Sequence, residues 1–352
     1  MDVFSHPWLS GLFVDAEIET LWSAQTQLEH MLAFETAWSR AGHLAGFWPE
    51  SEGEAAAKAI AASQITPAAL AAGTARDGVC VPDLVRILKA ETGLSALHKG
   101  ATSQDVIDTA TALSMAATVD LLSARLEALD VALSQLIASH GHAALMGRTR
   151  MQAALTITVR DRLETWRKPL ATHQTRLAQL RPRIAIVQIG GAAGDRAAMG
   201  DGADTMVASI AAALGLAASD HSWHAMRDGV GEFASCLSLI TGTLGKMGQD
   251  ICLMAQQGID EITLSGGGGS SAMPHKQNPV LAELLVTLAR FNAVQLSGMH
   301  QALIHEQERS GAAWALEWMI LPQMAQATGR GLNAAVGLTA SVIGMGDAAK
   351  EP

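Results

Sequence analysis

From Ala101 to His140 the chain contains neither glycine nor proline, and this interval constrains the fold more than any other. Ile107, Leu113, Leu121, Leu122, Leu126, Leu129, Leu133, Leu136 and Ile137 carry an apolar stripe along it. A helix starting near Ser103 therefore runs for roughly 50 Å at 1.5 Å per residue. A rod of that length cannot bury its stripe against short elements and needs long partners. The sequence offers a second segment over 153–181, with Pro169 predicted to kink it. A third covers about 225–258, where Gly229, Gly231, Gly242, Gly245 and Gly248 allow close helix approach, and a fourth runs from Pro279 to about 310. The pattern predicts an all-α long-helix bundle. Strand signals are confined to short pieces such as "RIAIVQI", too few for a sheet-based fold.

Ahead of the long rod lie shorter helices. Residues 15–41 place Ile18, Leu21, Trp22, Leu28, Met31, Leu32 and Trp38 at helical spacing, with Gly42 as the stop. Ser51, three before Glu54, has the spacing of a capping box. Thr66-Pro67 and Val81-Pro82 read as further helix starts. The expected organisation is an N-terminal helical domain over 1–95, a central bundle over 96–330 and a shortened C-terminal segment over 331–352.

Composition removes several function classes. The 352 residues carry a formal net charge of −10, which argues against a nucleic-acid partner because that binding runs on a basic surface. An anionic small molecule remains compatible if a local basic site exists. Cys80, Cys236 and Cys252 are scattered without a CxxC pair, and the histidines lack ligand spacing. Neither a disulfide frame nor a metal is expected, and no organic cofactor has a signature. The start lacks a secretory pattern, and the longest apolar stretch, around "MVASIAAALGLAA", is too short to span a bilayer as a helix. A cytoplasmic protein without a membrane partner is expected. With no tyrosine in the chain, acid–base work falls to other residue types.

Three stretches carry candidate chemistry. "SGGGGSSAMPHKQNPV", Ser265 to Val280, lacks the spaced glycine pair and Lys-Ser/Thr of a phosphate loop. It brings together Ser270 and Ser271 as hydroxyls, Lys276 as a cation and Asn278 as an amide at a helix head begun by Pro279. Such a loop can close on an anion and stabilise a developing oxyanion. Composition alone equally allows a merely mobile segment. "LHKGATSQDVIDTA", residues 97–110, puts Thr102, Ser103 and Asp105 at the start of the long helix. This is N-cap chemistry that can also hold a carboxylate, with His98 and Lys99 beside it. "GRTRMQAALT", residues 147–156, reads as a basic turn before a helix, with Arg148 and Arg150 solvated unless a partner claims them.

Together these stretches resemble the fumarase/aspartase superfamily, whose signature loop is matched by "GSSAMPHKQNP". The resemblance implies a helical homotetramer with active sites shared between subunits, acting across a carbon–carbon bond next to a carboxylate. "KGATSQD" is similar to the superfamily's carboxylate-binding region, which implicates His98, Lys99, Thr102, Ser103 and Gln104. Where the family's lyases have Gly-Arg-Thr-His-x-Gln, with the histidine linked to acid–base work, this chain has Arg148, Thr149, Arg150 and Gln152. Arg150 cannot lose its proton at working pH. Glu283, which faces that histidine in relatives, is left to pair with a cation.

Residues 299–323, "MHQALIHEQERSGAAWALEWMILPQ", are similar to the bacterial carboxymuconate-cycloisomerase branch and add Arg309. Trp314 and Trp318 there are spaced as one core face of a helix. The resemblance implies a small-molecule tricarboxylate substrate. It assigns Ser270 as the proton donor, with Ser271 as the alternative, and Lys276 as stabiliser of the developing charge. Met273 and Asn278 are implied to complete the binding set. The alternatives are an adenylosuccinate-type, fumarate-releasing lyase, or a cycloisomerase acting on a muconate that carries a different anionic group in place of the 3-carboxylate.

Overall fold

A computed structural model of the chain describes residues 2–269, 273 and 276–349. The N-terminal third contains α1 (Ser10–Phe13), α2 (Ala16–Leu21), α3 (Ala24–Ala41), α4 (Glu50–Ala61), α5 (Ala71–Asp77) and α6 (Val81–Thr92). The helical spacing over 15–41 is thus divided at Ser23, whose side chain accepts from the Thr26 N–H (3.1 Å) and starts α3 afresh. The box at Ser51 does not form: α4 begins at Glu50 behind Pro49, so Ser51 lies inside the first turn. Pro82 does sit at the start of α6.

The rod is α7 (Ser103–His140), capped by Thr102, whose N–H donates to Asp105 Oδ2 (2.9 Å). Beyond it the chain forms an antiparallel hairpin, β1 (Ala144–Thr149) with β2 (Gln152–Thr158), and only then α8 (Val159–Ile184). This corrects the helix expected from 153. Thr156, Ile157 and Thr158 are β-branched and find strand partners in 144–146, while Thr158 caps α8 with Asp161. The remaining elements are α9 (Ala203–Leu214), α10 (Asp228–Met254), β3 (Ile262–Leu264), β4 (Gly268–Gly269), β5 (Gln277–Asn278), α11 (Val280–Gln301), α12 (Ala312–Ala340) and β6 (Val342–Met345). Three two-stranded ribbons, β1–β2, β3–β6 and β4–β5, are the sheet content among the described residues. "RIAIVQI" contributes one isolated bridge, Ile186 to Ala217.

Two apolar cores share α7. Its first turns, through Val106 and Ala110, pack with Phe34, Trp38, Ile60 and Leu84 of the N-terminal helices. Val187, Ile189 and α9 return to this same cluster through Met206, Val207 and Ile210. From Met115 onward α7 belongs instead to the bundle with α8, α10, α11 and α12. Trp314 of α12 is buried as expected, whereas Trp318 is 37 % exposed.

By length and composition α7 and α11 are each long and apolar enough to cross a bilayer, which corrects the expectation drawn from the apolar stretch around Met206. The apolar window of α7 is 61 % buried inside the protein, that of α11 only 28 %.

Helices α10 and α11 meet closely because glycines line the contact. A Cβ at Gly248 would lie 2.5 Å from the Ala282 carbonyl oxygen, and one at Gly245 2.5 Å from Ala289 Cβ. Gly248→Ala gains helix propensity worth about 1 kcal/mol. The clash is with backbone, however, and should dominate, giving a net loss of about 1–3 kcal/mol. A lowered urea midpoint would show it.

Candidate active site

The first turns of α7 are held by buried carboxylates. Asp105, fully buried, accepts from the N–H groups of Thr102 (2.9 Å), Gly190 (2.8 Å) and Gly191 (3.1 Å) and lies 2.8 Å from His224 Nε2. It thereby fixes a glycine turn after Ile189 against the helix start. Gly191 takes φ +68°, and at Gly190 a Cβ would fall 2.4 Å from Ser222 Oγ. Arg196 fastens the other side of the turn, donating to the carbonyls of Ile189 (2.9 Å), Ser219 (2.9 Å) and His221 (3.1 Å).

One turn further, Asp108 accepts both Arg227 Nη groups (2.7 and 3.1 Å), Trp314 Nε1 (2.9 Å) and Gln104 Nε2 (3.0 Å). Arg227 also donates to Glu317 on α12 through Nε (2.8 Å) and Nη2 (2.5 Å). Burial opposes both charges, but the pairing outweighs it. Arg227 is held above its ordinary range by Asp108 and Glu317, and the Glu317 carboxyl below its own by Arg227 and His305.

Arg309 closes over this base. Its Nη1 donates to Thr102 Oγ1 (2.7 Å), and Nη2 to the carbonyls of Ala192 (2.9 Å) and Gly191 (3.3 Å). Thr102, Ser103, His98 and Arg309 therefore belong to one region. Its neighbours Gly191 and Ala192 were not recognisable, since "QIGGAAG" carries no marked chemistry. Gln104 has its amide on Asp108 and the His224 carbonyl (2.9 Å) and is fully buried. Lys99 is exposed, with its ammonium 5.4 Å from the Phe47 ring centroid.

The other predicted residues lie elsewhere. Arg148 donates to Glu261 (2.5 Å). Thr149 and Gln152 close the hairpin as paired positions, and Arg150 and Met151 turn it with φ of 49° and 65°. A primed turn of this kind ordinarily takes Asn or Gly. Arg150, exposed and without a partner among the described residues, lines a hollow of about 380 Å³ with Arg148, Arg162, Lys246, Asp250 and Glu261. Arg162 and Lys246 went unnoticed because basic residues on helices read as solvated.

In the glycine loop, Ser270 and Ser271 lie outside the described residues. Lys276 is exposed, its N–H on the Met273 carbonyl (3.0 Å), and Met273 is 43 % exposed. Asn278 pairs with Gly268, and Glu283 sits exposed in the first turn of α11. Burial, then the Glu283 charge, pushes the nearby Cys252 thiol up.

Within one chain the described groups do not converge. The Thr102–Arg309 cluster sits where α7 and α10 begin, while the hairpin and the glycine loop sit beyond the ends of both. The 38 residues of α7 span roughly 57 Å, and the 27 of α10 roughly 40 Å.

The bundle of long helices thus carries groups able to meet an anion at both of its ends. The lyase family model matches residues 18–295, and the chain belongs to this family, within the fumarase/aspartase superfamily. It is 35 % identical over 346 residues to the 3-carboxy-cis,cis-muconate cycloisomerase of Pseudomonas aeruginosa, covering 96 % of this chain and 75 % of that protein. The enzyme of the same name from Acinetobacter baylyi is 34 % identical, with 92 % and 74 % covered. In structure the chain is similar to the 3-carboxy-cis,cis-muconate lactonizing enzyme from Pseudomonas putida, at a TM-score of 0.89 and 34 % identity, over 96 % of this chain and 77 % of that one.

Asp105→Asn puts an amide where several buried donors need an acceptor. A loss of about 3 kcal/mol is expected in urea unfolding, with weakened substrate binding because the turn carrying the Gly191 and Ala192 carbonyls loosens.

Proposed function

We propose that this protein is an enzyme that closes 3-carboxy-cis,cis-muconate to 4-carboxymuconolactone. The observation that carries the reading, beside the relatives, is Arg150 at the hairpin tip. It puts a permanent cation where the superfamily's lyases keep an acid–base histidine. The reaction suits that exchange. One substrate carboxylate, already ionised and tethered, attacks the diene carbon that bears the 3-carboxy group and forms a C–O bond. The π electrons move toward the neighbouring carboxylate as an enediolate, and a proton then adds to the carbon between them. No water needs activating, so the enzyme orients, stabilises charge and protonates. Thr102, Ser103 and Arg309 hold one carboxylate, and Arg148 and Arg150 face the others. Lys276 with the loop N–H groups stabilises the enediolate, and Ser270 delivers the proton. The fumarate-releasing alternative lacks comparable support, since the relatives described above are cycloisomerases.

The separation of the motif regions supports a homotetramer in which each site draws on more than one copy. Surfaces that suit such packing are exposed: Val294 on α11 (72 %) and Met151 and Leu155 on the hairpin (72 % and 78 %).

The test is loss of conjugated-diene absorbance when purified protein meets 3-carboxy-cis,cis-muconate. Bleaching with a lactone product is expected. No bleaching, with fumarate released from a succinyl substrate instead, would overturn the assignment. Ser270→Ala should lower turnover roughly 10²–10⁴-fold with binding little changed. Co-assembled with an inactive Arg309→Gln variant, it should regain activity, because some sites then combine intact regions from both chains. Failure of every mixture would refute shared sites.

A further inference from the structure

Glu35 lies in the middle of α3, fully buried beside the stacked rings of Phe34 and Trp38. Its Oε1 is 2.6 Å from His98 Nδ1, and its Oε2 is buried with no hydrogen-bond partner. Taking a carboxylate into such a cluster costs several kcal/mol unless a cation or good donors answer it. A latch between α3 and the segment before α7 would not need that charge. Ser39 Oγ already donates to the Ala96 carbonyl (2.8 Å) and Trp38 Nε1 to that of Lys99 (3.2 Å), tying the same two pieces together.

His98 is itself held in an uncommon conformation, with φ at 56°. Its side chain is 17 % exposed, and with Nδ1 on Glu35, Nε2 is the ring nitrogen left for a ligand. The turn it belongs to touches the rest of the site, since a Cβ at Gly191 would lie 3.0 Å from the Gly100 carbonyl oxygen. Gly191 in turn bonds Arg309, which bonds Thr102.

We infer that Glu35 is a positioning residue for substrate binding: through Nδ1 it orients and charges the His98 ring so that Nε2–H donates to a substrate carboxylate beside Thr102 and Arg309. The inference rests on the proposed carboxylate-binding function of this region. The charged groups facing His98 are Glu35 from α3, Asp105 from α7 and Lys89 from α6. Burial is the largest influence and would lower the imidazole pKa, yet Glu35, helped by Asp105, reverses it and the net direction is upward. The imidazolium is therefore present below this raised pKa and is lost as pH rises through it. Without the Glu35 charge, burial and Lys89 prevail, and the loss moves to lower pH.

The experiment compares wild type, Glu35→Gln, His98→Gln and the double variant, measuring KM and kcat for the muconate across pH and following the His98 ring by NMR. Glu35→Gln should raise KM on the order of tenfold near neutral pH, the worth of a charge-assisted hydrogen bond. It should converge on wild type in acid, change kcat little, and shift the ring's titration downward. In the His98→Gln background it should add nothing. A KM offset equal at every pH, additivity with His98→Gln, or an unmoved ring titration would overturn the inference. Wild-type protein that fails to bleach the diene would instead remove the functional reading. The ring titration needs no substrate and would still decide the Glu35–His98 pairing.

Discussion

Everything about the first site region depends on two buried carboxylates one turn apart on α7. Asp105 and Asp108 lie on the same face of the helix, inside protein, where like charges repel strongly. They coexist because each is answered from a different direction. Backbone N–H groups and His224 meet Asp105, while Arg227 and the Trp314 indole meet Asp108. Arg227 is shared with Glu317, so α7, α12 and the chain entering α10 are locked at one point. Such a cluster adds less net stability than an apolar core of equal volume, but it tolerates no missing member. It specifies how the two apolar cores meet and where the loop carrying Arg309 lands.

The legible parts of the sequence were those whose causes are local. The Thr102–Asp105 cap, the unbroken apolar stripe of α7 and the proline at the start of α6 each act within a turn or two. Ser23 and Pro49 show the limit of even local rules: a cap inside an apolar-periodic stretch restarts the helix at Ser23, and α4 begins directly behind Pro49 with no side-chain cap. The hairpin was illegible because its cause is a pairing: "QAALTIT" becomes a strand only when 144–149 lies alongside. Arg227 and His224 act on partners 119 residues away, and Glu35 on one 63 away. In isolation each is one polar residue in an ordinary window. The motif regions could be recognised without revealing that α7 and α10 hold them apart.

The glycine run of the loop divides in the same way. Gly266 adopts φ +73°, a conformation that side chains resist, and a Cβ at Gly268 would lie 2.6 Å from Val280 Cγ2. Those two glycines are required by the turn and by the short β4–β5 ribbon that returns the chain to α11. They anchor the loop's stem where a purely flexible tether would need no such constraint.

The acidic balance of the chain bears directly on how it can hold a polyanion. Its carboxylates neutralise the scaffold cations: Asp15 and Glu17 take Arg125, Asp130 takes Arg167, Asp120 takes Arg181, and Asp108 with Glu317 takes Arg227. Arg309 is treated differently. Its hydrogen bonds among the described residues go to a hydroxyl and two carbonyls, which orient the guanidinium without cancelling its charge. Arg150 likewise has no carboxylate partner there. A negative protein can therefore present positive potential at two chosen places, because acidic residues are paired with framework cations and withheld from these arginines. Arg148 is the exception, already bonded to Glu261, so its contribution to an anion is reduced by the carboxylate it carries. Arg309 at one end of the bundle and Arg150 at the other are thus two cations that no carboxylate opposes among the described residues, and each keeps its charge available for an anion.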